Sequence, residues 1–282
     1  MKNPNNIRLV ATDLDGTLLN RAHEIPADNK AALECCIKEG IAVVVATGRA
    51  MSSIPQEVRD IDGIKYLVSA NGANIYDNVS EERLYARFLK REAVESVWDL
   101  IENAAIMKEL FWGGVPYTSR ASYDDLARFG VPDWFREYVL STRIPVDDLD
   151  AFAREHIDEL ENINFNYANY DIRDFLVERL KRDDGRLYTL TASLPFNIEV
   201  GGLGVDKASA VAQVAEWLGI SHEECICFGD NTNDVSMIEW AGIGVAVSDG
   251  VPAALAAADY VTAPAAESGV ARALENFGLY FS

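Results

Sequence analysis

Two styles of hydrophobic patterning alternate along this chain. In the first 75 residues, short apolar runs end abruptly in polar, glycine-containing loops. Ile7-Arg8-Leu9-Val10-Ala11 leads into Thr12-Asp13-Leu14-Asp15-Gly16, Ile41 to Ala46 leads into Thr47-Gly48-Arg49, and Tyr66 to Ala70 leads into Asn71-Gly72-Ala73. Continuous, β-branched runs of this kind are expected of strands buried on both faces, as in a parallel sheet. Between them, Ala27–Glu39 carries Ala31, Leu33, Cys36 and Ile37 at helical spacing with Gly40 as a stop, and a second helix is expected from Arg49 to about Asp60. The same style returns near residue 196. Strands are predicted at Phe196–Val200, Cys225–Phe228, Ile243–Val247 and Asp259–Thr262, with helices at Asp206–Leu218, from about Thr232 to Gly242, and before Asp259.

The middle of the chain reads differently. Residues 81–190 hold more charge and more aromatic rings, and their apolar runs are short. Helices are predicted at Arg91–Ala105, Tyr123–Phe129, Pro132–Leu140 and Asp171–Arg182. Short strands are predicted at Glu109–Trp112 and Val115–Thr118, and period-two alternation marks Asn162–Tyr167 and Arg186–Ser193. Alternation implies a sheet with one polar face, exposed or facing a cleft. The expectation is a doubly wound, mainly parallel α/β core made of residues 1–80 and 191–282, with an inserted α/β domain at 81–190.

Composition narrows the functional classes. Forty-five acidic against 25 basic residues give a formal charge of −20 over 282 residues, which argues against nucleic acid and against anionic membrane surfaces as partners. No apolar run approaches the roughly 18 residues of a membrane span, and the amino terminus lacks an apolar secretory segment. Cys35, Cys36, Cys225 and Cys227 form no convincing disulfide framework, and His23, His156 and His222 share no ligand spacing with them. Reduced thiols in a cytoplasmic protein, monomeric or a loose homodimer, are the expectation.

In open α/β sheets, ligand sites form beyond the carboxyl ends of the strands. The polar residues there are Asp13 and Asp15, Thr47, Asn71, and Asp230 with Asn233 and Asp234. Two carboxylates one residue apart suit metal-assisted phosphoryl transfer, in which one acts as nucleophile and the other manages a proton. Taken alone, an Asp-x-Asp after a strand favours a surface turn, where Asp and Gly are common. Thr47, Asn71 and Asn233 taken singly could be helix or turn caps, and a lone Lys207 early in a helix could be a solvated charge. What favours chemistry is that distant segments supply such residues at equivalent strand ends.

Asp13-Leu-Asp15-Gly-Thr17-Leu, Ala46-Thr47-Gly48-Arg49, Lys207 and Gly229-Asp230-Asn-Thr-Asn233-Asp234 resemble, in order and spacing, the four motifs of the haloacid dehalogenase-like hydrolase superfamily. The insert after the third core strand, preceded by Ser69-Ala70-Asn71-Gly72-Ala73, is similar to that of the Cof-type phosphatases of subfamily IIB. The resemblance implies that Asp13 is the nucleophile, giving an aspartyl-phosphate, and that Asp15 is the acid and then the base. It implies Mg²⁺ on Asp13, the Asp15 carbonyl and Asp230. Thr47 and the Gly48 N–H would hold phosphoryl oxygens, Lys207 would stabilise transferring charge, Asn233 would contact phosphate or substrate, and Asn71 would contact substrate. Asp234 would orient Lys207 or the ion's water shell. Two positions depart from the usual pattern: Ala208 follows the lysine where glycine is common, and Asp206 precedes it where a small polar residue is frequent, with a helix cap as the expected role.

The implied activity is a magnesium-dependent phosphatase on a small phosphorylated metabolite such as a sugar phosphate or a phosphorylated cofactor. A phosphomutase with the same nucleophile and a non-catalytic ligand-sensing module are the alternatives. No residue of the insert is assigned to a site. Phe111, Trp112, Tyr117, Trp134 and Phe135 fit either a leaving-group pocket or a core.

Overall fold

The computed structural model describes residues 6–20 and 22–280. The chain divides into two compact units, one of residues 1–48, 54–85 and 206–282, the other of residues 49–53 and 86–205. The first unit opens with β1 (Leu9–Thr12), α1 (Ala27–Lys38), β2 (Ala42–Ala46), α2 (Gln56–Arg59), β3 (Tyr66–Ser69), β4 (Asn74–Asp77) and β5 (Arg83–Ala86). The chain then forms α3 (Arg91–Ile101), β6 (Met107–Trp112), β7 (Val115–Ser119), α4 (Arg120–Asp124), α5 (Asp133–Thr142), β8 (Ile144–Val146), α6 (Leu149–Glu155), β9 (Asn162–Asn166), α7 (Tyr170–Leu180), β10 (Tyr188–Thr191) and β11 (Asn197–Gly202). It closes with α8 (Lys207–Leu218), β12 (Cys225–Gly229), α9 (Val235–Trp240), β13 (Ile243–Val247), α10 (Pro252–Ala257), β14 (Tyr260–Thr262) and α11 (Gly269–Asn276).

The first sheet has the order β14-β13-β12-β1-β2-β3-β4-β5. From β14 through β3 every pairing is parallel, and β4 turns back antiparallel on β3. All four residues of β1 are buried, as are all five of β12 and β13, because helices cover both faces of a parallel sheet. After β1 the chain adds strands on one side, β2 and β3, and later on the other, β12 to β14. The carboxyl end of β1 is therefore the point where strand order reverses. The expected helix from Arg49 is shortened to α2 plus a 3₁₀ turn at Met51–Ser53, since Pro55 sits immediately before it. The β4 and β5 extension lies outside the sequence-based expectation.

The second unit is built on a sheet ordered β10-β11-β9-β6-β7-β8, antiparallel except for β7 with β8. Leu110, Ile163, Phe165, Ile198 and Val200 face one way, into a core with Val94 and Val97 of α3, Leu149 of α6 and Leu176 and Leu180 of α7. The alternate positions Glu109, Asn162, Asn164, Asn166, Asn197 and Glu199 face the other way. This polar face, expected to be exposed or to line a cleft, is buried. Glu109 accepts from Arg143 Nε at 2.7 Å and from the Asn164 amide, and Asn197 donates to Asn164 and to Glu199. Met107, on the same face, packs with Phe135 and Val139 of α5. Phe111 and Phe135 are buried, whereas Trp134 is exposed.

β11 departs from expectation in a way that moves a boundary. Phe196–Val200 was expected to begin the return to the core at residue 191, yet β11 pairs with β9 and β10, and the first unit resumes at Asp206. Asn197 and Glu199 meet Asn166 and Asn164 across the β9 pairing, so polar positions match polar positions.

Candidate active site

Four neighbouring strands end in the predicted site residues. Asp13 follows β1, Thr47 follows β2, Ser69-Ala70-Asn71 closes β3, and Asp230 follows β12. The turn after β1 is tight. Gly16 adopts φ +84°, and a Cβ there would come within 2.6 Å of Asp230 Oδ2, so this position must lack a side chain for Asp230 to lie alongside it. Thr17 Oγ1 donates to Asp230 Oδ1 at 2.9 Å and fixes that carboxylate.

Lys207 is completely buried at the first turn of α8. Its ammonium donates to Asp13 Oδ1 at 2.5 Å and to Asp234 Oδ1 at 2.6 Å. Asp206 caps the helix as expected: its carboxylate accepts from the Ser209 N–H at 2.7 Å, and Ser209 Oγ accepts from the Asp206 N–H. The second oxygen of Asp234 accepts the N–H groups of Asp230 and Asn231, at 3.0 and 2.9 Å. Asp234 therefore ties the lysine to the loop that carries Asp230.

On the β2 and β3 side, the Asn71 N–H donates to the Thr47 carbonyl at 3.0 Å, and Asn233 Nδ2 donates to Asn71 Oδ1 at 2.9 Å. Ala70 and Asn71 both take left-handed backbone angles, φ +49° and +55°, which is strained for non-glycine residues. A Cβ on Gly48 would sit 3.0 Å from Asn71 Oδ1. Thr47, Gly48, Asn71 and Asn233 thus form one group, and Asp13, Lys207, Asp230 and Asp234 another. Asp15 points its Oδ1 toward His23 Nδ1 at 3.3 Å.

The electrostatics leave this cluster short of positive charge. Oxygens of Asp13, Asp230 and Asp234 lie within 4.8 Å of one another, against the single ammonium of Lys207. Burial raises the Asp13 carboxyl well above its usual range, opposed by Lys207 and reinforced by Asp234, Asp230 and Asp15. Burial, then Asp234, raises Asp230 to about 7. Burial works against the charge of Lys207, but Asp13 and Asp234 outweigh it and hold its pKa above the ordinary value. A divalent cation fits this surplus, and an all-oxygen donor set suits a hard ion. With both Asp234 oxygens engaged, Asp13 and Asp230 are the side chains placed to hold it.

Every residue singled out from the sequence lies at one of these strand ends or on α8. Two contributors escaped that reading. Thr17 was quoted only within a motif, and its hydroxyl holds Asp230. His23 was considered only as a zinc ligand, and no periodicity marks its approach to Asp15.

A parallel sheet with acidic, hydroxyl and lysine side chains gathered at its switch point suits an enzyme of phosphoryl transfer. Comparison with known proteins agrees: residues 10–274 match the haloacid dehalogenase-like hydrolase family, and the chain belongs to that family. It is 30% identical to the 5-amino-6-(5-phospho-D-ribitylamino)uracil phosphatase of Bacillus subtilis, over 97% of this chain and 96% of that one. Among solved structures, a haloacid dehalogenase-like hydrolase from B. subtilis is 28% identical with a TM-score of 0.82, over 95% of this chain and 99% of that one. A subclass IIB sugar phosphatase shares the fold, with a TM-score of 0.79 at 24% identity over 97% and 100% of the chains. The protein is a phosphatase of this family. Among the described residues, no helix is long and apolar enough to cross a membrane.

Proposed function

We propose that the chain is a magnesium-dependent phosphomonoesterase that works through a phosphorylated Asp13. The observation that carries this reading is Lys207, buried and bonded to both Asp13 and Asp234 beside the Asp230 carboxylate. A buried ammonium between two carboxylates offers little stability over an apolar core, and its value lies in charge held ready for a reaction.

Asp13 attacks phosphorus through a carboxylate oxygen, the bond to the leaving oxygen breaks, and that oxygen takes a proton from Asp15. Asp15 then accepts a proton from water as the water attacks phosphorus, which releases phosphate and restores Asp13. The Thr47 hydroxyl and the Gly48 N–H hold phosphoryl oxygens, Asn71 and Asn233 contact the phosphate or its ester group, and Lys207 offsets charge on the transferring group. Asp13, the Asp15 carbonyl and Asp230 would hold Mg²⁺, which when bound screens the carboxylates from the phosphate dianion. The substrate is a small phosphorylated metabolite, a reading supported by the likeness to the 5-amino-6-(5-phospho-D-ribitylamino)uracil phosphatase of B. subtilis.

The test is release of inorganic phosphate from a panel of phosphorylated metabolites, with Mg²⁺ and without any bisphosphate activator. Wild type is expected to turn over and Asp13→Asn to be inactive yet folded by circular dichroism. Full activity in Asp13→Asn would sink the proposal, and turnover only with a bisphosphate activator would turn it toward a mutase.

A further inference from the structure

Past the Asp-x-Asp loop, Asn20 is tied to residues 22–24 by four hydrogen bonds. Asn20 N donates to the Glu24 carbonyl at 2.9 Å, and the His23 N–H donates to the Asn20 carbonyl at 2.9 Å. The Asn20 side-chain oxygen accepts the N–H groups of Ala22 and Glu24, at 2.8 and 3.1 Å. Within this turn His23 takes a left-handed backbone, φ +59°, a conformation uncommon for a residue with a side chain. What the conformation achieves is visible in the side chain: the imidazole folds back so that Nδ1 lies 3.3 Å from Asp15 Oδ1. Both side chains are about two-fifths exposed, and exposed pairs add little to stability. The turn thus brings the imidazole onto the carboxyl that the proposed mechanism uses as acid and then base.

We propose that His23 is a positioning residue for Asp15. It donates from Nδ1 to Asp15 Oδ1, fixes the carboxyl rotamer, and leaves Oδ2 as the oxygen that carries the proton. As the bond from phosphorus to the ester oxygen breaks, the electron pair stays on that oxygen, which takes the proton from Oδ2. Oδ1 remains hydrogen-bonded to the imidazole throughout. The inference rests on the acid role given to Asp15 above. It implies that His23 matters in proportion to how much the leaving group needs a proton.

The experiment compares wild type, His23→Gly and His23→Asn on two substrates. One is p-nitrophenyl phosphate, whose leaving group departs unprotonated. The other is whichever primary-alcohol phosphomonoester in a sugar-phosphate panel the wild type turns over fastest. Glycine and asparagine both accept the left-handed backbone, and only asparagine keeps a donor near the Nδ1 position. kcat/KM isolates the step in which the leaving group departs. For His23→Gly it is expected to fall about tenfold on the alkyl ester, a fraction of the 10²–10⁴ that proton transfer can supply, and by less than about twofold on p-nitrophenyl phosphate. His23→Asn is expected to recover most of the loss on the alkyl ester, with both variants melting near wild type. An equal fall on both substrates, no fall on either, or an asparagine variant as slow as the glycine one overturns the role of His23 alone. Absence of wild-type turnover on both overturns the phosphatase reading together with it.

Discussion

Asp230 provides a sharp test because its proposed function and its contribution to stability pull in opposite directions. Burial and the neighbouring Asp234 raise its pKa from 3.8 to about 7 in the ion-free protein. At about 1.4 kcal/mol per pKa unit, a rise of roughly three units amounts to about 4 kcal/mol. The sign follows from linkage. The folded state binds this proton more tightly than the unfolded state does, so the contribution is fully present below about pH 4 and is lost as pH rises through about 7. Asparagine cannot ionise, and its amide oxygen can still accept from Thr17 Oγ1. In EDTA at pH 8, Asp230→Asn is therefore expected to be about 4 kcal/mol more stable than wild type, with a Tm about 8–12 °C higher. At pH 4 the gap should shrink to under about 1 kcal/mol. Adding Mg²⁺ should raise the wild-type Tm at pH 8 and leave that of the variant nearly unmoved. Thermal unfolding followed by circular dichroism reads all of these. Equal Tm values at pH 8 in EDTA, or a gap that persists on acidification, would refute the reasoning.

Two further substitutions probe the frame around the site. Lys207→Met removes the ammonium shared by Asp13 and Asp234; a loss of about 3–5 kcal/mol in urea unfolding at neutral pH is expected, with phosphatase turnover down at least about 10²-fold. Gly72→Ala places a Cβ 2.1 Å from the Asp206 carbonyl oxygen at a backbone φ of +100°. It should cost about 2–3 kcal/mol and reduce activity by shifting the start of α8, readable as a lower Tm alongside a lower kcat.

Much of the site was legible because parallel strands carry a strong signal. Val43-Val44-Val45 and Ile226-Cys227-Phe228 can only be buried on both faces, and their polar ends then share one edge of the sheet. The inserted unit was harder to delimit because a strand does not name its sheet. A hint was nevertheless present in β11: Asn197-Ile198-Glu199-Val200 alternates, as Asn162–Asn166 does, whereas β2, β12 and β13 run continuously apolar. His23 was hidden for a different reason. Its backbone sign and its reach to Asp15 come from a turn set by the Asn20 side chain, and no period of 2 or 3.6 connects the residues. The burial of Asn162, Asn164 and Asn166 was also beyond a pattern argument, since alternation separates two faces without saying what covers the second.

The capping box at Asp206 and Ser209 has an evolutionary consequence. The chain leaves the first unit near residue 86 and rejoins it at residue 206, and Lys207 is the next residue. Where α8 begins is decided locally, by Asp206 and Ser209 bonding each other's backbone and side chain and by the space that Gly72 leaves for the Asp206 carbonyl. The register of the lysine is thus encoded on the near side of the junction. Residues 86–205 are free to lengthen, shorten or change their surface over generations without dragging the ammonium out of place. A lineage built this way can try new inserts against a chemical centre that stays in register.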